Sequence, residues 1–159
     1  MSGARRPERT VDRPGYLIKL AQAALHAEMA RALHEYGVAL AQFAVLTALA
    51  EEPGLSNADL ARRTFVTPQS MNEKLRELEQ HAWVKRSPHP THRRILQFEL
   101  TDEGRAILQA CDATVSVIEE RMLAEFDPDQ RREFVVALRT CIAALSPDPP
   151  TSPGRSGPR

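Results

Sequence analysis

The stretch "LSNADLARRTFVTPQSMNEKLRELEQHAWVKR", residues 55–86, reads as two helices and the turn between them. Ser56 is a good N-cap, and Asp59 three residues on completes a capping box, which satisfies backbone N–H groups that a first helical turn leaves unpaired. "TFVTP" ends this helix after about Arg63. The next begins at Thr67, with Pro68 in the first helical position, where its missing N–H costs nothing. Val66 before the cap and Met71 four positions into the helix form a hydrophobic staple that sets the angle of the incoming chain. Met71, Leu75 and Leu78, spaced by four and then three, mark a buried face. The other faces carry Gln69, Ser70, Asn72, Glu73, Lys74, Arg76, Glu77 and Gln80.

Downstream, "WVKRS", the loop "PHPTHRR" and "ILQFEL" predict a β-hairpin, because Leu96, Phe98 and Leu100 alternate with polar residues as in a half-buried strand. The hairpin tip then carries two adjacent cations, Arg93 and Arg94. Upstream, helical spacing places a first helix at about Tyr16 to Tyr36, with Leu17, Leu20, Ala24, Ala27 and Leu33 inside and Gly37 as its stop. A second, about Ala41 to Glu51, carries Phe43, Leu46, Leu49 and Ala50 and ends at Pro53 and Gly54. Beyond the hairpin, Thr101 caps a long helix to about Glu125. Asp102 and Glu103 complement its positive end, and Ile107, Ala110, Thr114, Val117 and Met122 form its stripe. After "FDPDQ", a last helix, about Asp129 to Leu145, carries Phe134, Leu138, Cys141 and Leu145.

A short helix, a tight turn, a second helix with a polar outer face and a hairpin tipped with cations together make a winged helix-turn-helix. The fold class is mainly α with a small β-hairpin wing (α+β), a winged helix-turn-helix joined to a helical dimerisation region. The outer helix is sized for the major groove of DNA, where Gln and Asn can bond adenine edges and Lys can bond guanine. Gln69, Ser70, Asn72 and Lys74 are the candidate base readers, with Ser70, Gln69 and the helix N-terminus at Thr67 and Pro68 also suited to phosphate. Arg76 would lie near phosphate, and Arg93 and Arg94 would reach the neighbouring minor groove, where guanidinium groups meet concentrated negative potential.

Composition permits this without demanding it. The chain's 159 residues suffice for one core. Aromatic content of 5% against 42% hydrophobic residues points to aliphatic helix packing. Lys plus Arg and Asp plus Glu both number 21, so any attraction to nucleic acid must be local. Between Ser56 and Thr101, eight cations face five anions, a surplus of three. No secretory leader and no apolar run near the roughly 18 residues of a membrane span is evident, so the expected location is cytoplasmic. Tails at 1–14 and 146–159 are rich in Pro, Gly, Ser and Arg and read as disordered. Cys111 and Cys141 lack metal-type spacing and read as buried thiols.

The residues at 55–86, followed by "HRRILQFELTDEGR" at 92–105, resemble the MarR family of bacterial transcriptional regulators. Members carry similar "L-S-x-x-[DE]-L-A-x-R", "L-E-x-x-G-L-V-x-R" and "L-T-x-x-G" patterns in this order, and the resemblance covers about Gly15 to Leu145. It implies a homodimer built by 15–38 and 102–145, a DNA-binding domain at 39–101, and a pseudo-palindromic operator. It also implies a small aromatic or hydrophobic effector in a cleft between these regions, with His26, Tyr36, Phe43, Phe65 and Met71 as candidate lining residues that equally fit the core. Two positions depart from the pattern. His92 stands where the family wing has an aspartate two residues before the minor-groove arginine, here Arg94. His81, Ala82 and Trp83 replace the usual residues before the hairpin, and Trp83 suits the core beneath the wing.

The same residues bear on other classes of function. His89 and His92 form H-x-x-H, which raises a metal-responsive regulator, but zinc normally takes three or four ligands and the loop offers two, so neither a metal nor another cofactor is expected. A winged helix used as a protein-interaction adaptor would show an apolar or acidic outer face instead of "PQSMNEK". An enzyme is disfavoured by the absence of a glycine-rich phosphate loop, G-x-S-x-G or H-E-x-x-H. The family's peroxide sensors use a cysteine in the first helix, and this first helix has none.

Overall fold

The computed structural model describes residues 10–92 and 94–146. Nearly all of the two expected tails, and Arg93, lie outside the described residues. After a short 3-10 turn at Thr10–Asp12 come α1 (Pro14–His34), α2 (Leu40–Glu51), β1 (Leu55–Ser56), α3 (Asn57–Arg63) and α4 (Pro68–Gln80). They are followed by β2 (Val84–Pro88), β3 (Leu96–Leu100), α5 (Asp102–Met122) and α6 (Pro128–Leu145). No described helix is long and apolar enough to cross a membrane.

Two compact units meet in the sequence at Ile118 and Glu119. In the first, an antiparallel sheet of order β1-β3-β2 packs on the helices. Val84 pairs with Leu100 and Arg86 with Phe98 across the hairpin, while Leu55 pairs with Phe98 on the other side. β1 is an addition to the expected hairpin. Two residues are too few to show a period, and Leu55 joins the sheet because Gly54, at φ +86°, turns the chain and donates its N–H to the Phe98 carbonyl at 2.9 Å.

The main core gathers Val45, Leu46 and Leu49 of α2, Leu60 of α3, Met71, Leu75 and Leu78 of α4, and Phe98 and Leu100 of β3. A second cluster holds Leu33, Val38, Phe43, Cys111 and Val115. Trp83, Ile107 and Leu108 pack against both, so the indole joins the two clusters as the expected filler beneath the wing. Val66 also packs on the main core with Met71, as a staple requires. Burial pushes the Cys111 thiol above its ordinary value, since desolvation penalises the thiolate.

Five expectations need correction. Of the interior stripe of α1 only Leu33 is buried, and Leu17, Leu20, Ala24 and Ala27 are exposed because no other described element of this chain covers them. α1 begins and ends two residues early, at Pro14 and His34, because Pro favours a first turn and Tyr36 and Gly37 already close a terminal turn on Leu33 and His34. The buried face of α5 is Gly104, Cys111, Val115 and Ile118, whereas Val117 and Met122 are exposed. That helix carries apolar residues on more than one face, and its close approach to Trp83 at Gly104 selects which one turns inward. Leu96 is exposed, because β3 runs past the core toward the wing tip. Cys141 is exposed as well, on a helix with no buried residue.

The second unit holds α6, capped by Asp127, whose Oδ1 accepts from the N–H groups of Asp129 and Gln130 at 2.8 and 2.9 Å. Arg131 ties the preceding turn down, donating to Glu120 at 2.6 Å and to the Phe126 carbonyl at 3.2 Å, and the rings of Phe126 and Phe134 meet at 5.6 Å. Val135, Val136, Ile142 and Leu145 remain exposed.

Candidate nucleic-acid interface

Side-chain caps fix both ends of α3 and the start of α4, and backbone bonds from the N–H groups of Thr64, Phe65 and Val66 close the turn between them. Ser56 Oγ accepts from Asp59 N–H at 3.2 Å, and Asp59 Oδ2 accepts from the Ser56 hydroxyl at 2.6 Å and from its N–H at 3.3 Å. These bonds, led by the hydroxyl, hold the Asp59 carboxyl below its ordinary range, with Arg62 adding to the effect. At the far end Thr64 Oγ1 donates to the Leu60 carbonyl at 2.8 Å, and Phe65 takes φ +57°, a left-handed stop without glycine. Thr67 then accepts from Ser70 N–H at 3.1 Å, so α4 starts with its positive end facing solvent.

With Met71, Leu75 and Leu78 buried, Thr67, Pro68, Gln69, Asn72 and Arg76 are exposed and Ser70 and Lys74 half-buried. Lys74 Nζ donates to Ser70 Oγ at 3.1 Å, and Asn57 Nδ2 donates to Asn72 Oδ1. Gln42, itself buried, donates to Glu77 Oε2 at 2.9 Å and braces α4 on α2.

Charge pairing refines the simple surplus. Arg62 pairs with Asp59, Arg63 with Glu51 and Glu52, Lys85 with Glu99 at 3.5 Å and Arg86 with Glu79 at 3.1 Å. Among the described residues of this region, Lys74, Arg76 and Arg94 are left without an acidic partner. These three cations lie on α4, which also carries the acids Glu73 and Glu77, and at the wing tip. Arg94 is exposed there, inside a tight turn closed by Ile95 N–H on the His92 carbonyl at 2.7 Å. The rings of His89 and His92 stand 5.3 Å apart, and among the described residues no third His, Cys, Asp or Glu joins them to form a metal-binding group.

The five candidate effector contacts do not converge. Phe43 and Phe65 line an open cavity of about 400 Å³ with Met29, Leu40, Thr47 and Arg63, where Phe65 is almost fully exposed. Met71 is sealed in the main core, Tyr36 meets Thr114 through a hydroxyl contact of 2.7 Å, and His26 is exposed.

A family model described as MarR family matches residues 36–95, which span α2 through the wing. An HTH-type transcriptional repressor of Mycobacterium tuberculosis, Rv2887, is 41% identical over 120 residues, covering 76% of this chain and 86% of the repressor. The chain belongs to the MarR family. A solved structure of Rv2887 in complex with DNA superposes on this MarR-family chain with a TM-score of 0.70 at 37% identity, covering 81% of this chain and 97% of that one. Its complex with p-aminosalicylic acid gives a TM-score of 0.69 at 38% identity, covering 81% and 98%.

In this MarR-family chain six residues carry no motif that would mark them for the contacts they make. Asn57 engages Asn72 across the turn, Gln42 reaches α4 from α2, and Met29, Leu40, Thr47 and Arg63 line the cavity beside Phe43. Each acts through packing between elements, for which local spacing carries no signal. Only Gln42, a polar residue inside an otherwise apolar helix, could have been flagged from the sequence.

Proposed function

We propose that the chain is a ligand-responsive transcriptional repressor that binds a pseudo-palindromic operator as a homodimer. The observation that carries this reading is the placement of unpaired cations. After internal pairing, Lys74 and Arg76 on α4 and Arg94 on the wing keep their charge for phosphate, on the two elements that a winged helix brings to DNA. Thr67, Pro68, Gln69, Ser70 and Asn72 extend this surface over the first turns of α4, and Arg93 belongs to the wing tip by sequence. The DNA complex of Rv2887 supports this assignment.

Residues 39–101 serve as the DNA-binding domain, and 15–38 with 102–145 as the dimerisation region. In its support, Leu17, Ile18 and Leu20 on α1 and Val135, Val136, Ile142 and Leu145 on α6 expose apolar surface that a second copy would bury. The effector is a small aromatic or hydrophobic molecule, a reading supported by the p-aminosalicylic acid complex of Rv2887. Of the candidate lining residues, Phe43 and Phe65 already share a cavity that Arg63 and its ion-pair partner Glu51 also line. A ligand there acts only through different affinities for two conformations of the protein. The protein works in the cytoplasm, where its DNA lies.

Fluorescence anisotropy with DNA from upstream of the protein's own gene, against scrambled DNA across a salt series, tests the reading. Specific dimeric binding whose log affinity falls linearly with log salt supports it. Equal weak binding to both duplexes, and to sites sought by selection from random DNA, would leave the adaptor alternative in its place.

A further inference from the structure

We propose that His89 is a positioning residue of the wing, its imidazole clasping the tip so that Arg94 is held in place. Three donors converge on one atom: Thr91 N–H at 3.2 Å, His92 N–H at 3.2 Å and the Thr91 hydroxyl at 3.1 Å all meet His89 Nδ1. A backbone N–H can only donate, so Nδ1 carries its lone pair and the ring proton sits on Nε2. The tip has little else to hold it. The strand pairing ends at Pro88 and Leu96, and Pro90 has no N–H to give.

The clasp reaches Arg94 in two steps. His89 fixes the N–H of His92, and the carbonyl of His92 accepts from Ile95 N–H at 2.7 Å, closing the turn that contains Arg94. His89 also donates its own N–H to the Ile95 carbonyl at 2.8 Å, so one residue anchors the turn from both sides. A guanidinium on a fixed base loses less conformational freedom on meeting DNA. The titratable and charged side chains described at the tip are His92, its ring 5.3 Å away, and Arg94. Lys85 and Arg86, further along β2, pair with Glu99 and Glu79.

The inference rests on the reading that the wing meets DNA, and its test separates the two. The probe is a duplex that the wild-type protein selects from a random pool. Arg94→Ala weakens binding about tenfold or more, His89→Ala about three- to tenfold, and His89→Asn, whose Oδ1 replaces Nδ1, by no more than about twofold. His89→Ala equal to wild type, or a His89→Asn as weak as His89→Ala, would overturn the clasp and make the ring at most a phosphate contact. If Arg94→Ala changes nothing, DNA docking of the wing fails, and imidazole nitrogen NMR of the free protein decides the clasp by itself. An Nε2–H tautomer with protected Thr91 and His92 amides upholds it, and an Nδ1–H tautomer ends it.

Discussion

The carbonyl of Trp83 occupies the space that a side chain at Gly104 would need: a Cβ there would stand 1.9 Å from the oxygen and 2.8 Å from the carbonyl carbon. Thr101 reinforces the approach, donating its N–H to the same oxygen at 3.1 Å and its hydroxyl to the Ala82 carbonyl at 2.6 Å. The first turn of α5 is thus pressed onto the chain entering β2, and the rotation of that helix is set from its start.

Gly104→Ala should therefore be costly, because the neighbour is backbone and cannot rotate away. We expect a loss of about 1–3 kcal/mol in urea unfolding, the range for overpacked sites. Gly15→Ala, with nothing within 4 Å, serves as the control and should be neutral or slightly stabilising. Equal stability of the two variants would show that α5 can shift without penalty.

The same contact explains what was legible in the sequence and what was not. Caps, staple and the buried face of α4 could be read from 55–86 because each depends on residues within one turn of one another, and Ser56, Asp59, Thr67 and Met71 fall where local chemistry puts them. The rotation of α5 depends on a contact between residues 83 and 104, and its several apolar faces gave no local reason to prefer Cys111 and Val115 over Val117. β1 was hidden for a similar reason, since its two residues are strand only by virtue of Phe98. At the site, the exposed positions of α4 were legible from the 4-and-3 spacing. The pairing of Arg62, Arg63, Lys85 and Arg86 with acids was not, because three of these pairings join different elements.

Gln42 makes two hydrogen bonds at a buried position, donating to Glu77 and accepting from Ala39 N–H, each at 2.9 Å. Gln42→Leu keeps the volume but strands the Ala39 N–H, and should cost about 1–2 kcal/mol. Gln42→Glu sets a carboxylate against that of Glu77 and should cost more at neutral pH, with the excess vanishing as acid protonates the pair. Denaturant midpoints at neutral and acidic pH check this. A Gln42→Glu variant no weaker than Gln42→Leu at neutral pH would mean that the Gln42–Glu77 contact does not brace α4.

Asp59 provides the acid sensitivity of α3. Its carboxyl is held below the ordinary aspartate value, first by the Ser56 hydroxyl, so the folded state binds that proton less readily than the unfolded chain. Its stabilisation is present above the ordinary value and is lost as pH falls through the folded one. The group is partly exposed and solvent screening limits the effect, so Asp59→Asn should cost about 0.5–1 kcal/mol at neutral pH. Once the pH has fallen below the folded value, the variant and wild type should converge. A constant gap from pH 7 into acid would assign the loss to packing instead of charge.

Asn57 should tune what Asn72 reads. Its Nδ2 donates to Asn72 Oδ1 and takes one of that oxygen's two lone pairs, while Asn57 Oδ1 is buried without a partner. Under the proposed docking, this held oxygen disfavours the two-point bond to adenine, which needs both ends of the amide, and favours the amide N–H groups on guanine O6 and N7 or thymine O4. Asn57→Ala frees the acceptor, so selection from random DNA should gain adenine at one position of each half-site. Asn72→Ala should flatten preference at that same position by about 1 kcal/mol or more per half-site. Uniform weakening on every sequence by Asn72→Ala would make it a backbone contact. A base preference untouched by Asn57→Ala but altered by Asn72→Ala would leave Asn57 a purely structural partner, because removing the clamp would not have changed what the groove is offered.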